Sequence, residues 1–245
     1  MNILVCITHV PDTTSRIAFE EDNTKFKKDG VQFVIGPYDD YALARAVELK
    51  EETGGHVTVV NVGTVETEPT IRKALAIGAD EAIRVDAEPK DSFFVAKQIA
   101  KVAGEKQYDL ILMGRESIDF NSGVVHGMVG ELLGMPSLSP VMTLDVKDGK
   151  AIMKKEIEGG TQEVEMPLPL VLGCQEPIAE WKIPNMRGIM TARSKPLNVV
   201  EAEAAEPVAT TLKYELPPQK GDCKIFDKED VTGLVKALRD DAKVL

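Results

Sequence analysis

The residues with the most chemistry in reach lie in one stretch, DLILMGRESIDFNSG from Asp109, which continues as VVHGMVGELLG from Val124. An apolar run is followed by a polar, glycine-bearing loop and then by apolar residues at helical spacing. A strand that passes through such a loop into a helix gathers backbone N–H groups and the positive helix end at one point, which suits a phosphate. The ligand is therefore expected in this segment. No comparable case exists for metal or nucleophilic chemistry. His9, His56 and His126 are far apart and lack carboxylates at ligand spacing. His126, at the loop-helix junction, is expected at the surface.

Positioning such a loop requires a sheet. Short apolar runs alternate with helical periodicity through the first half of the chain, which predicts parallel strands joined by crossover helices. Strands are expected at Ile3 to Thr8, Val57 to Val62, Glu81 to Val85 and Leu110 to Met113. Between them, Leu43 and Val47, Ile71 and Leu75, Val95 and Ile99, and Val125 and Val129 mark the apolar faces of four helices. An insertion from Pro11 to Gly36 breaks this rhythm, with Ile17 to Phe19 and Val31 to Ile35 expected to pair as a ribbon around Asp29 and Gly30. After Pro136 the spacing predicts antiparallel strands at Met142 to Val146, Ala151 to Ile157 and Gln162 to Glu165, with turns at Lys147 to Lys150 and Glu158 to Thr161. The run from Pro167 to Cys174 then returns to the sheet.

Beyond Glu176 prolines punctuate a stretch with little periodicity until Asp227, which is expected to cap a last helix carrying Val231, Leu234, Val235 and Leu238. The fold expected is α/β and Rossmann-like, a mostly parallel sheet with crossover helices plus antiparallel hairpins, over residues 1–190. Residues 191–245 are read as an extended C-terminal arm packed on a partner subunit, with a disordered tail as the competing reading.

Composition narrows the function classes. The 245 residues carry 40 acidic and 29 basic side chains for a formal charge of -11, so nucleic-acid binding lacks its basic footprint. Cys6, Cys174 and Cys223 are widely spaced, which disfavours a disulfide framework or zinc site. With no signal-like leader and no run of membrane-spanning length, a cytoplasmic protein is expected.

Several stretches carry a family resemblance in order and spacing: MNILVCITHVPD from Met1, GPYDDYALARA from Gly36, IRKALAIGAD from Ile71, DLILMGRESID from Asp109, PLPLVL from Pro167 and IPNMRGIM from Ile183. Together they resemble the beta-subunit family of electron transfer flavoproteins over nearly the whole chain. The resemblance implies the adenine nucleotide alpha hydrolase-like fold and a heterodimer whose alpha subunit holds most of the FAD. It also implies a beta subunit that buries a structural AMP without a catalytic site. Such a complex carries electrons from acyl-CoA or related dehydrogenases to a quinone reductase.

The positions that resemble the family's AMP contacts are Cys6; Gly36, Pro37, Tyr38 and Asp39; and Val62. The phosphate cradle would be Gly114, Arg115, Glu116, Ser117, Ile118, Asp119, Phe120, Asn121, Ser122, Gly123, Val124 and Val125, with donors from Asn121, Ser122 and Gly123. Many relatives carry Asn at the position of Gly36 and a polar side chain at that of Val124. Thr13 or Tyr38 stands where beta-subunit side chains approach the flavin. Ile183 matches the apolar anchor of a dehydrogenase-docking loop that would include Pro184, Met186, Arg187, Arg193 and Lys195. In some relatives the AMP site holds a second FAD that supports bifurcation; the loop here lacks their polar Gly-Asp-Thr-Ala-Gln pattern, which favours AMP. A nucleotide hydrolase of the same fold would need a glycine-rich loop after the first strand, where this chain has HVPDTT from His9.

Overall fold

Alternation within the first strand divides the molecule into two cores. In β1 (Asn2–Cys6), Ile3 and Val5 join one apolar cluster, while Leu4 and Cys6 join the other on the opposite face of the sheet. The computed structural model describes all 245 residues. In chain order the insertion contributes β2 (His9–Pro11), β3 (Phe19–Glu20), β4 (Lys25–Phe26) and β5 (Phe33–Ile35). The alternating region follows as α1 (Pro37–Thr53), β6 (His56–Val62), α2 (Glu68–Ile77), β7 (Glu81–Asp86), α3 (Ser92–Gly104), β8 (Leu110–Gly114) and α4 (Val125–Leu133). The remainder holds β9 (Ser137–Lys147), β10 (Lys150–Ile157), β11 (Gly160–Pro167), β12 (Leu170–Cys174), α5 (Met186–Ala192), β13 (Leu197–Glu201) and α6 (Val231–Lys236).

The main sheet has nine strands in the order β11-β10-β9-β12-β8-β1-β6-β7-β13. Neighbours from β9 to β13 run parallel, and β10 and β11 are antiparallel. One core contains Leu43 and Val47 of α1 with Ile71 and Leu75 of α2; the other contains Phe94 and Ile99 of α3 with Val129 of α4. This is the expected α/β sandwich. After β1 the chain builds outward through β6 and β7, then crosses by α3 to β8 on the other flank of β1. That reversal opens a crevice at the carboxyl ends of the central strands.

The antiparallel hairpins form with turns at Asp148 and Gly149 (φ 51° and 75°) and at Gly159. A buried arginine ties them to the body: Arg45 of α1 donates from Nε to the Leu144 carbonyl at 2.9 Å and pairs with Glu48, Glu52 and Asp145.

The insertion pairs differently from the expected ribbon. Phe33 to Ile35 pairs antiparallel with His9 to Pro11, and Phe19 pairs with Phe26 in a separate short hairpin. The reason is burial, because Val10 on one strand and Ile35 on the other are both fully enclosed in this pairing. The turn of the second hairpin uses Glu21, Asp22 and Asn23, all left-handed. At the C-terminus the cap of α6 is Asp230, which accepts from Gly233 N–H at 2.9 Å; Asp227 accepts one turn earlier, from Glu229 N–H.

Two structures were not anticipated beyond Glu176. Leu197 to Glu201 adds a parallel strand beside β7 at the sheet edge, and Met186 to Ala192 forms a short helix on α2. Arg72 of α2 donates to the carbonyls of Ala192 and Lys195, each at 2.8 Å. Lys195 Nζ returns the favour, donating to the carbonyls of Leu75 and Ala79 at 2.8 and 2.6 Å around the end of α2.

The crevice itself is held by Asp39 in the first turn of α1. Its carboxylate is buried and accepts from Thr8 N–H (2.8 Å), Thr8 Oγ1 (2.7 Å) and Gly114 N–H (2.8 Å). One side chain thus joins the end of β1, the end of β8 and the start of α1. Two glycines make room for it: a Cβ at Gly36 would lie 2.6 Å from Asp39 Oδ2, and one at Gly114 2.7 Å from Asp39 Oδ1.

Burial pushes the Asp39 carboxyl up to about 6, against the pull of its three hydrogen bonds. Neighbouring Asp40 is raised to about 6 as well, again by burial, with Lys73 opposing. A raised carboxyl binds its proton more tightly in the folded than in the unfolded chain, so this stability is full below pH 3.8 and is lost as pH rises through about 6. Asp39→Asn should shift the slope of urea-derived stability against pH across that window by the Asp39 share; an unchanged slope would refute the assignment. Lys195→Met should cost about 1–2 kcal/mol of unfolding free energy in the same assay, by loss of two hydrogen bonds and a charge at a helix end.

Candidate functional site

A cavity of about 650 Å³ lies in the crevice, beyond the carboxyl ends of β1, β6 and β8, within the usual size range of small-ligand sites. Its floor is sulfur-bearing and aliphatic, from Cys6, Val60, Val62 and Met113, and α3 and α4 add Val95, Ile99 and Met128. The polar wall is the loop between β8 and α4, followed by the first turn of α4. No side chain caps α4, so its leading N–H groups are open to an anion.

The structure brings most of the expected residues together. Cys6, Asp39, Val62 and Gly114 line the cavity, as do Arg115, Glu116, Ser117, Asp119, Phe120, Ser122, Val124 and Val125. Gly36, Pro37 and Tyr38 stand behind this wall, and Ile118 and Asn121 also lie off it. Gly123 lines an adjoining space of about 260 Å³ that shares Arg115, Glu116 and His126 with the main cavity. Asp39 spends its carboxylate on the protein, and so holds the site open without offering a free acceptor. Thr13 is exposed in the insertion.

The loop is tied to itself and to α3. Asp119 accepts from Ser117 Oγ and from Phe120 N–H at 2.9 Å, Ser117 and Ser122 form a β-bridge, and Asn121 adopts a left-handed conformation (φ 48°). Ser122 Oγ lies 2.5 Å from Ser92 Oγ at the start of α3. Behind it, the Arg115 guanidinium stands over the Tyr38 ring at 5.5 Å and donates to Gln175 Oε1 at 2.7 Å.

His126 is half-buried instead of lying on the surface. Gly173 in β12 leaves room for its ring, whose Cδ2 would be 2.8 Å from any Cβ there. Its Nδ1 is enclosed without a hydrogen-bond partner, and burial lowers its pKa.

Other lining residues escaped sequence reasoning. Asn61 is buried in β6 and donates from Nδ2 to the Ile7 carbonyl at 2.9 Å, a polar side chain in an apolar strand that gave a signal in principle. His9 stacks on Phe33 at 4.4 Å and meets Thr70 Oγ1 at 2.8 Å. Across the mouth, Lys28 of the insertion pairs with Glu66 at 2.8 Å. Residues Val208 to Thr211 of the arm also line the cavity, although no local pattern marks them.

The arrangement can enclose a ligand, and the cysteine in its floor is not an activated nucleophile. Burial, and then the charge of Asp39, push the Cys6 thiol well above its ordinary value. The segment after β1 is spent as β2, paired with β5, where a hydrolase of this architecture would form its phosphate loop.

The docking positions lie elsewhere. Trp181, Ile183, Met186 and Met190 are exposed apolar side chains around α5, with Ile183 74% and Met186 75% accessible, and Pro184 is half-buried among them. Arg187 and Arg193 are exposed beside them, whereas Lys195 turns inward onto α2.

A family model described as the electron transfer flavoprotein domain matches residues 24–205. The chain is 34% identical to "Electron transfer flavoprotein subunit beta" of Bacillus subtilis, with all of both chains covered. It is equally 34% identical to the protein of that name from Syntrophomonas wolfei, covering all of this chain and 98% of the relative. "Acryloyl-CoA reductase electron transfer subunit gamma" of Anaerotignum propionicum is 30% identical over 97% of this chain and 98% of its own. With a nucleotide-sized crevice at the switch point of the sheet and relatives of this length, the chain belongs to the electron transfer flavoprotein family, among its beta subunits.

Proposed function

We propose that this chain pairs with an alpha subunit, buries AMP in the crevice, and carries electrons through an FAD held mainly by the alpha subunit. The observation that carries the nucleotide reading is the cavity of about 650 Å³ whose apolar floor faces an uncapped helix start. An adenine suits the floor of Cys6, Val62, Ile99 and Met113, and a phosphate suits the first turn of α4. AMP bound there adds to stability because only the folded chain offers the site. The chain's own part is positional: it encloses the nucleotide and presents the flavin-facing side of the dimer, with Tyr38 and Thr13 nearest by resemblance.

Electrons would come from acyl-CoA or related dehydrogenases and pass to a quinone reductase. Ile183 is the proposed anchor for the donor, since an apolar side chain this exposed gains most when a partner pocket covers it. Arg187 and Arg193 favour an acidic rim around that pocket. The Anaerotignum relative's name supports a donor or acceptor acting on CoA thioesters.

A second FAD in place of AMP, as in a bifurcating complex, is favoured by one feature. The adjoining space of about 260 Å³ beyond Arg115 and His126 offers room past the phosphate position.

Coexpression with an alpha subunit should give a yellow heterodimer that releases one FAD and one AMP on denaturation. Two FAD and no AMP would replace the simple-transfer reading with the bifurcating one, and no nucleotide beyond a single FAD would refute the site. Ile183→Ala should raise the KM for the donor dehydrogenase roughly tenfold or more, the usual scale for an interface anchor. The flavin spectrum and nucleotide content should stay as in the wild type; an unchanged KM would remove Ile183 from the docking surface.

A further inference from the structure

The C-terminal arm crosses the open side of the cavity between fixed points on either side of it. At its near end, the buried Gln98 of α3 clamps Glu203 in both directions: Nε2 donates to the Glu203 carbonyl at 3.0 Å and Oε1 accepts from Glu203 N–H at 2.7 Å. In the middle, Asp91 Oδ2 accepts from the N–H groups of Val208 and Ala209 at 2.6 and 2.9 Å. At the far end, Tyr214 stacks on Phe19 of the insertion at 4.9 Å and donates its N–H to the Asn23 carbonyl at 2.7 Å. Val208 to Thr211, which run from the Asp91 anchor toward Tyr214, form one wall of the cavity.

Asp91 is the hinge pin of this arrangement. Its Oδ1 caps α3 by accepting from Phe94 N–H at 2.7 Å, so one carboxylate fixes a helix start and the strap together. The next residue, Ser92, touches Ser122 of the phosphate loop. Burial alone would raise the Asp91 carboxyl, but hydrogen bonds from Phe94, Ala209 and Val208 N–H hold it below its ordinary value, so these are bonds to a carboxylate. The strap wall is backbone held by one acceptor, whereas the floor and the loop wall belong to the packed sheet and helices.

We propose that Val208 to Thr211 form a strap that retains the nucleotide, and that the Asp91 carboxylate latches it. Nucleotide leaves or enters when the two N–H groups part from Asp91 and the segment between Glu203 and Tyr214 lifts. The proposal rests on the nucleotide reading of the cavity and adds a controlled exit to it. Because the same arm continues toward the region expected to lie on the alpha subunit, partner binding restrains the strap.

The test uses the purified heterodimer and the release of bound AMP into an excess of isotopically labelled AMP. Asp91→Asn keeps the shape and an oxygen for the α3 cap but turns an NH₂ toward the strap. It should speed exchange roughly tenfold or more, the scale of losing hydrogen bonds to a charged acceptor. Hydrogen exchange should then show lost protection at Val208 and Ala209 with α3 unchanged. Ala209→Pro, which removes one strap donor and leaves Asp91 intact, should speed release several-fold and covers the case in which the Asp91 variant misfolds. Wild-type release rates in both folded variants, at full nucleotide occupancy, would overturn the strap. A wild-type heterodimer with no AMP at the outset would overturn the nucleotide reading and the strap with it, and the initial nucleotide count separates the two failures.

Discussion

The crevice depends on a carboxylate that accepts three hydrogen bonds in the protein interior. Without Asp39, the last N–H of the β1 extension and that of Gly114 would be left facing each other across the switch point with no acceptor. The price is a buried charge whose carboxyl is raised to about 6, and the fold tolerates it because the acceptor satisfies donors from two strands at once. The two neighbouring glycines follow from the same constraint, since a side chain at Gly36 or Gly114 would occupy the carboxylate's space. Gly36 is therefore matched to the local packing of Thr8 and Asp39.

How much of this was legible in the sequence depended on whether the cause was local. β1, β6 and β8 are dense in apolar residues because both faces are covered, and β9 to β11 alternate around glycine turns, so all were readable from pattern. β13 was not, because an edge strand with mostly exposed side chains carries no such pattern. The insertion contained recognisable strands but the wrong partners, since β2 and β5 pair, Val10 opposite Val34, across a span that periodicity does not measure. In the site, the loop from Gly114 to Val125 announced itself by strand-loop-helix order. Asp39 looked like a ligand contact or a helix cap; its hydrogen bonds to Thr8 and Gly114 span 31 and 75 residues and leave no local trace.

Lys195 shows the converse error of reading charge as surface. Three basic residues near Ile183 suggest a positive rim, yet only Arg187 and Arg193 are exposed. Lys195 is recruited by the carbonyls of Leu75 and Ala79, and Arg72 reaches back to the carbonyls of Ala192 and Lys195. These reciprocal contacts brace α5 against α2, so the apolar side chains of Met186 and Met190 are presented on a supported element despite their exposure. A rigid platform loses less entropy when a partner covers it than a free loop would.

The arm obeys a different economy from the rest of the chain. Up to Glu201 apolar residues pack into two continuous cores, whereas Leu212, Leu216 and Ile225 are 84%, 60% and 90% accessible. Leaving such side chains in water forgoes roughly 1.5–3 kcal/mol apiece, which sets the arm apart from the packed body. Its attachment to the body is mostly polar and runs through Gln98, Asp91 and Asn23. The end of the arm that closes the cavity is thus held by hydrogen bonds, and the distal end carries the unburied apolar area. A partner that covered the distal residues would restrict the arm as a whole, and subunit association and retention of the proposed nucleotide would then be linked through one stretch of backbone.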